Sequence, residues 1–259
     1  MSALQDISAR DNPLLVRIRR LARGGTAYRR AGEVWLEGEH LCEAWLRRGH
    51  AAPQAVITES AWTRPAARAL AQGAARVARV PDGLFDGLSA LESPAGLGFV
   101  VPLPAQAAIE PASPSVVLDR VQDAGNVGSI LRSAAAMGFT QVLSIEGTAG
   151  LWSPKVLRAA MGAHFGLRLA EGLAPEDLSA LALPLLATSS HAAASLADAT
   201  PPWPCGWIFG HEGQGVDAAL VGRCRATLRI PQPGGEESLN VAAAAAICLY
   251  ATRFGRRSA

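Results

Sequence analysis

From Ser115 onward, short apolar runs alternate with segments whose apolar residues recur at helical spacing. Residues 115–121 (SVVLDRV), 140–147 (TQVLSIEG), 165–170 (FGLRLA), 184–190 (PLLATSS), 206–210 (GWIFG) and 226–230 (ATLRI) predict strands. Residues 127–138, 153–162, 175–182, 216–223 and the stretch beginning at Val241 predict helices. Strands too short for helices, apolar on both faces and separated by helices, predict a parallel sheet covered on both sides, hence an α/β fold.

The first hundred residues carry a weaker version of the same pattern. VWLE and QAVITES read as strands, Gly38 to Arg48 and AWTRPAARALAQG as helices, and ARVARVP as a further strand, which together predict a small α/β domain. Five prolines fall between Pro94 and Pro114, and no pattern persists after Val101. The expected organisation is therefore a domain over 1–101, a linker over 102–114 and a second domain over 115–259.

Composition narrows the class. An apolar share of 49% with 18% charged residues is that of an ordinary globular protein. No apolar run approaches the roughly 18 residues needed to span a bilayer, and the start lacks a cationic end followed by an apolar core. A cytoplasmic protein without a membrane partner is expected. Cys42, Cys205, Cys224 and Cys248 lie far apart, so neither a zinc site nor a disulfide framework is signalled, and no metal is expected. Net charge is +2, yet residues 1–30 hold seven arginines against two aspartates, and Arg253, Arg256 and Arg257 follow near the end. Of the 24 basic residues only Lys155 is lysine. Arginine's planar fork suits phosphate oxygens and stacking on bases, which points weakly to nucleic acid.

Ligands on parallel sheets bind where loops leave the carboxyl ends of the strands. Three such loops are rich in glycine and polar residues: DAGNVG, GHEGQG and PQPGGEES. In the first, Gly125, Asn126 and Gly128 form a strand-to-helix turn with Asn126 a possible cap, and Arg132 follows six residues on, able to reach back toward the loop. A capped helix with a solvated arginine would give the same pattern. In the second, three glycines surround His211 and Glu212. A lone histidine reads as a loop hydrogen-bonding residue rather than a metal ligand. In the third, Ser238, Leu239 and Asn240 precede an alanine-rich run, with Ser238 the expected cap, and the small residues favour a helix crowded by neighbouring backbone.

Taken in order, these loops resemble the three motifs of the SpoU (TrmH) family of RNA ribose 2′-O-methyltransferases, of the SPOUT class. The pattern DPxNxGxxxRxAxxxG is matched by Asp123, Asn126, Gly128, Arg132, Ala134 and Gly138. FGxExxG is matched by Phe209, Gly210, Glu212 and Gly215, and IPMxGxxxSLNVxxA by Ile230, Pro231, Gly234, Ser238, Leu239, Asn240, Val241 and Ala244. LRAAMGAHF is similar to a further segment of that family. Ala124 and Gln232 depart from it, where proline and methionine are usual. More loosely, WLEGEHLCEAW and SPAGLGFVV resemble the L30e-like substrate-binding domain that often precedes the catalytic one.

The resemblance implies a C-terminal domain with a deep trefoil knot that binds S-adenosylmethionine, a homodimer, and an RNA substrate gripped by the N-terminal domain. By position it makes Asn126, Arg132, Glu212, Ser238 and Asn240 the catalytic set. Gly210, Ile230 and Leu239 become cofactor contacts, with Thr188 and Ser189 lining the adenine side. The implied reaction is methylation of a ribose 2′-hydroxyl, with 23S rRNA guanosine favoured. A tRNA 2′-O-methyltransferase, or a non-catalytic RNA-binding or ribosome-assembly protein of the same fold, are the rival readings.

Overall fold

The structure, a computed structural model, describes residues 3–89, 91–234 and 238–255. The tail arginines Arg256 and Arg257, and residues 235–237 of the third loop, lie outside the described residues. The chain divides into two compact units, Met1–Ala105 with Trp152–Phe165, and Gln106–Leu151 with Gly166–Ala259.

In the first unit the elements run β1 (Ala3–Asp6), α1 (Pro13–Arg23), α2 (Ala27–Ala31), β2 (Glu33–Glu37), α3 (Glu39–Arg47), β3 (Gln54–Thr58), α4 (Glu59–Thr63), α5 (Pro65–Gln72), β4 (Arg76–Val80), α6 (Asp82–Asp86) and β5 (Leu97–Pro102). The sheet order is β1-β4-β3-β5-β2, with β5 antiparallel to both of its neighbours and the other pairs parallel. Three expected strands and the helix over 38–48 are present. β1, α1, α2, β5 and α6 were not read from the sequence. A signal for α1 existed: Asn12 accepts from the Leu14 N–H at 3.0 Å and Pro13 opens the helix, a capped start that the arginine-rich composition obscured.

The second unit contains β6 (Ser115–Asp119), α7 (Ala124–Ala136) and β7 (Gln141–Ile145). The next helix, α8 (Pro154–Ala160), belongs to the first unit although it interrupts the second in sequence. Then follow β8 (Arg168–Leu173), β9 (Leu185–Thr188), β10 (Ala194–Ser195), β11 (Gly206–Gly210), α9 (Ala218–Val221), β12 (Ala226–Arg229) and α10 (Val241–Phe254). The segment expected as a helix at 175–182 is instead a 3₁₀ turn over Pro175–Ala180.

All six pairings of this seven-stranded sheet are parallel, in the order β10-β12-β9-β11-β6-β7-β8. β6, β7 and β11 are buried at every position, which explains why they read as unbroken apolar runs. Val117, Leu143 and Ile208 face one side with Leu178, Leu185 and Leu220. Trp207 faces the other, where its indole N–H donates to Thr252 on α10 at 2.9 Å. Burying a side chain of this size stabilises the fold by about 1.5–3 kcal/mol.

The terminal helix departs from expectation. Ala245, Cys248, Leu249 and Thr252 are buried, but Ile247, Tyr250 and Phe254 are 41%, 57% and 60% exposed. Its small residues let one face lie close to α7 and β11; the opposite face carries apolar bulk and is uncovered.

Candidate functional site

The chain builds β6, β7 and β8 to one side of the sheet, then returns to build β9, β11 and β12 on the other, so β6 and β11 meet at a topological switch point. Loops leaving adjacent strands in opposite directions open a crevice there. Gly210 at the end of β11 lies in register with Asp119 at the end of β6. Thr188 ends β9 beside Leu228 of β12, and Ile230 follows β12. Asn126, Gly210, Thr188, Ser189 and Ile230 therefore all come from one edge of the sheet.

Within that edge the three polar loops are joined by side-chain hydrogen bonds. Asn240 Nδ2 donates to Asn126 Oδ1 at 2.9 Å, and Asn126 Nδ2 donates to Glu212 Oε1 at 3.1 Å. Glu212 also accepts from the Asp123 and Gln122 N–H groups at 3.1 and 3.2 Å. Burial alone would raise the Glu212 pKa; the hydrogen bonds from Asn126 and from the backbone outweigh it and hold the carboxyl below its ordinary value. Glu212 thus ties the second loop to the first.

The caps differ from those expected. Asp123, not Asn126, caps α7 by accepting from the Asn126 N–H at 2.8 Å, because the helix starts at Ala124, three residues before the expected start at Val127. Asn240, not Ser238, caps α10, its Oδ1 accepting from Ala242 and Ala243 at 2.9 and 3.3 Å. One amide thereby ends the loop and fixes Asn126. Ser238 and Leu239 are exposed, Leu239 at 40%. Arg132 is exposed on α7, and no hydrogen bond or ion pair holds its guanidinium among the described residues.

Gly210 has no space for a side chain: a Cβ would stand 2.1 Å from the Gly215 carbonyl carbon and 2.2 Å from the Val216 nitrogen. The loop backbone folds directly over the strand end. His211 Nδ1 accepts from the Gly213 and Gln214 N–H groups at 2.9 and 3.2 Å, the loop-folding role expected of it.

A model of the SpoU rRNA Methylase family matches residues 113–250. The chain belongs to this family. Among its relatives, the 23S rRNA (guanosine(2553)-2′-O)-methyltransferase of Bacillus subtilis is 30% identical over 84% of this chain and 87% of its own length. A crystal structure of an RNA 2′-O ribose methyltransferase is 28% identical, covers 97% of this chain and 99% of its own, and superimposes with a TM-score of 0.81. An AdoMet-bound rRNA methyltransferase from Sinorhizobium meliloti shares the fold, with a TM-score of 0.85 at 24% identity over 98% and 99% of the two chains.

Two further residues lie at these loops: Arg120, for which the sequence carried no signal, and Gln232, noted there only as a departure from the family pattern. Arg120 adopts a left-handed backbone, φ 57°, at the switch point. Its guanidinium pairs with the buried Asp119 carboxylate at 2.8 and 3.1 Å and donates to Gln214 at 3.2 Å, while Asp119 also accepts the Asp217 N–H at 2.8 Å. The end of β6 is thereby clamped to the loop after β11. Gln232 keeps its Oε1 buried with no hydrogen-bond partner among the described residues, in the loop that follows β12. A buried acceptor left open beside Ile230 fits a ligand bearing N–H donors. Among the described residues no group of three or more His, Cys, Asp or Glu could hold a metal ion, and no helix is long and apolar enough to cross a membrane. Cys42, Cys205 and Cys248 are buried free thiols, with burial pushing Cys205 up to about 12.

Proposed function

We propose that this protein transfers a methyl group from S-adenosylmethionine to the 2′-hydroxyl of one ribose in structured RNA, with guanosine of 23S rRNA the favoured target. The observation that carries this reading is the chain of hydrogen bonds from Asn240 through Asn126 to Glu212, which joins all three polar loops at the switch point on the helix that bears Arg132. The 23S rRNA target rests on similarity to the Bacillus subtilis enzyme.

When bound, the cofactor supplies a methyl group on a sulfonium, open to in-line displacement. The backbone at Gly210, Ile230 and Leu239 would hold it, with Gln232 Oε1 offered as an acceptor and Thr188 and Ser189 toward the adenine. The attacking oxygen must be aligned opposite the leaving sulfur and lose its proton as it attacks. A guanidinium carries donors and no acceptor, so Arg132 would clamp the RNA phosphate beside the target ribose and stabilise the developing alkoxide, while another acceptor takes the proton. Asn126 uses its carbonyl oxygen on Asn240 and one N–H on Glu212, which leaves one N–H and one lone pair for the substrate. Its contribution, like those of Glu212 and Asn240, would be chiefly to fix the loops, and Ser238 would form the floor.

We further infer a homodimer. Ile247, Tyr250 and Phe254 on α10 form a stripe spaced i, i+3, i+7 that no other described residue covers, and a second copy is the simplest way to bury it. The same reading assigns the domain over 1–101 to substrate binding, places the trefoil knot in the second domain and locates the enzyme in the cytoplasm, where ribosomal RNA is matured. The deciding experiment combines labelled-cofactor methylation of total RNA by the purified protein with mapping of 2′-O-methyl positions in RNA from a deletion strain. A missing methyl in 23S rRNA, restored by the purified protein, supports the reading; a missing methyl in tRNA redirects it, and no change in either RNA overturns it.

A further inference from the structure

The first unit contains a groove remote in sequence from all three loops. α1 buries Leu15, Ile18, Leu21 and Ala22, and with α2 it leaves on its other side a groove of about 1070 Å³. Val16 and Ala27 contribute to an apolar floor, and Arg17, Arg20, Arg29 and Arg30 line the walls. Val16 and Ala27 are half-buried, so the apolar surface is recessed, whereas all four arginines are exposed. Glu33 pairs with Arg17 at 3.3 Å, and Arg29 lies over the Tyr28 ring at 5.6 Å. The guanidinium groups of Arg20 and Arg30 have no hydrogen bond or ion pair among the described residues.

A recessed apolar floor between cationic walls is a specific combination. A lipid surface calls for protruding apolar groups, and an acidic peptide brings carboxylates without planar apolar faces. An unpaired RNA strand brings both: bases whose faces seek apolar or guanidinium surfaces, and phosphates at regular spacing that guanidinium forks bind in pairs. The volume reaches the upper end of small-ligand pockets, room for more than one nucleotide.

We propose that the groove between α1 and α2 binds an unpaired segment of RNA, bases on the Val16 and Ala27 floor and phosphates on Arg20 and Arg30. The assignment rests on RNA being the substrate, but it concerns a separate hold on that RNA, away from the reacting ribose.

The test uses the full chain and a fluorescent single-stranded oligoribonucleotide, with a duplex of equal length as comparison, titrated over a range of salt. Arg20→Ala/Arg30→Ala removes two exposed side chains whose guanidinium groups make no hydrogen bond or ion pair among the described residues, so folding should persist, checked by thermal unfolding. The proposal expects a loss of single-strand affinity on the order of tenfold, and a log-affinity against log-salt slope shallower by about 1.4, two phosphates' worth for a single strand. Arg47→Ala/Arg48→Ala makes the same charge change at exposed positions outside the groove and should lose much less. Equal losses in the two variants, an unchanged slope, or equal loss of duplex binding would each overturn the groove assignment. The readout needs no turnover, so absence of methylation with groove-dependent binding intact would remove the proposed reaction and leave this site standing.

Discussion

Asn240 Nδ2 stands 2.9 Å from Asn126 Oδ1, although 114 residues separate them in sequence. Because Asn240 also caps α10, its amide can satisfy both ends only in one orientation, and Asn126 is oriented in turn. Asn126→Ala and Asn240→Ala should therefore be non-additive. A double-mutant cycle by chemical unfolding is expected to give a coupling of about 0.5–3 kcal/mol, and independent losses would contradict the shared network.

Glu212 provides a pH dependence of definite sign. Its pKa is depressed in the folded chain below the ordinary 4.5. Its stabilising contribution is therefore present above the unfolded value and is lost as pH falls through the folded one. Wild type should lose thermal stability on acidification more steeply than Glu212→Gln does. Parallel curves would show that the carboxylate does not hold the loop.

Arg132→Ala should lower turnover by roughly 10²–10³, the scale of losing one charge-stabilising donor, with cofactor affinity retained. Arg132→Lys, which keeps the charge without the fork, should recover part of it. Single-turnover methylation beside calorimetric cofactor titration separates the two effects, and an active alanine variant would rule out the assigned role.

Gly210→Ala must push its methyl into the Gly215–Val216 peptide. Overpacking against backbone costs about 1–3 kcal/mol, and here the displaced atoms belong to the loop that carries Glu212. Lower melting temperature together with loss of cofactor binding is expected; unimpaired binding would show that the loop tolerates the shift.

Arg120→Gly separates conformation from contact. Glycine adopts the positive φ freely, relieving roughly 1–2 kcal/mol of backbone strain, but it removes the bridge from Asp119 to Gln214. The variant should unfold near the wild-type temperature yet bind cofactor more weakly. Full binding would reduce Arg120 to a fold-stabilising role.

The parts of this architecture that were legible in the chain are those where one periodicity dominates. SVVLD and GWIFG are buried at every position, and such runs have few other uses. The three loops were legible because glycine and polar residues cluster there against an apolar background. What could not be read was which of two adjacent polar residues takes a cap. Asp123 and Asn126, or Ser238 and Asn240, offer equivalent oxygens, and tertiary partners such as Glu212 decide between them. Arg120 was invisible for a related reason: its role depends on Gln214, 94 residues away, and on a backbone conformation that residue type does not suggest. The exposed side of α10 was misjudged because small residues signal close approach on one face without saying what covers the other.

The assignment of Trp152–Phe165 to the first unit has a consequence for how the chain comes off the ribosome. Ser153 caps α8, His40 hydrogen bonds to the Met161 carbonyl at 3.1 Å, and Trp45 meets Phe165 edge-on at 5.2 Å. None of these contacts exists when residue 105 emerges. The N-terminal body must wait, incomplete, while β6, α7 and β7 are translated, and it closes only once Phe165 has left the exit tunnel, so maturation of the two bodies is interleaved in time rather than sequential.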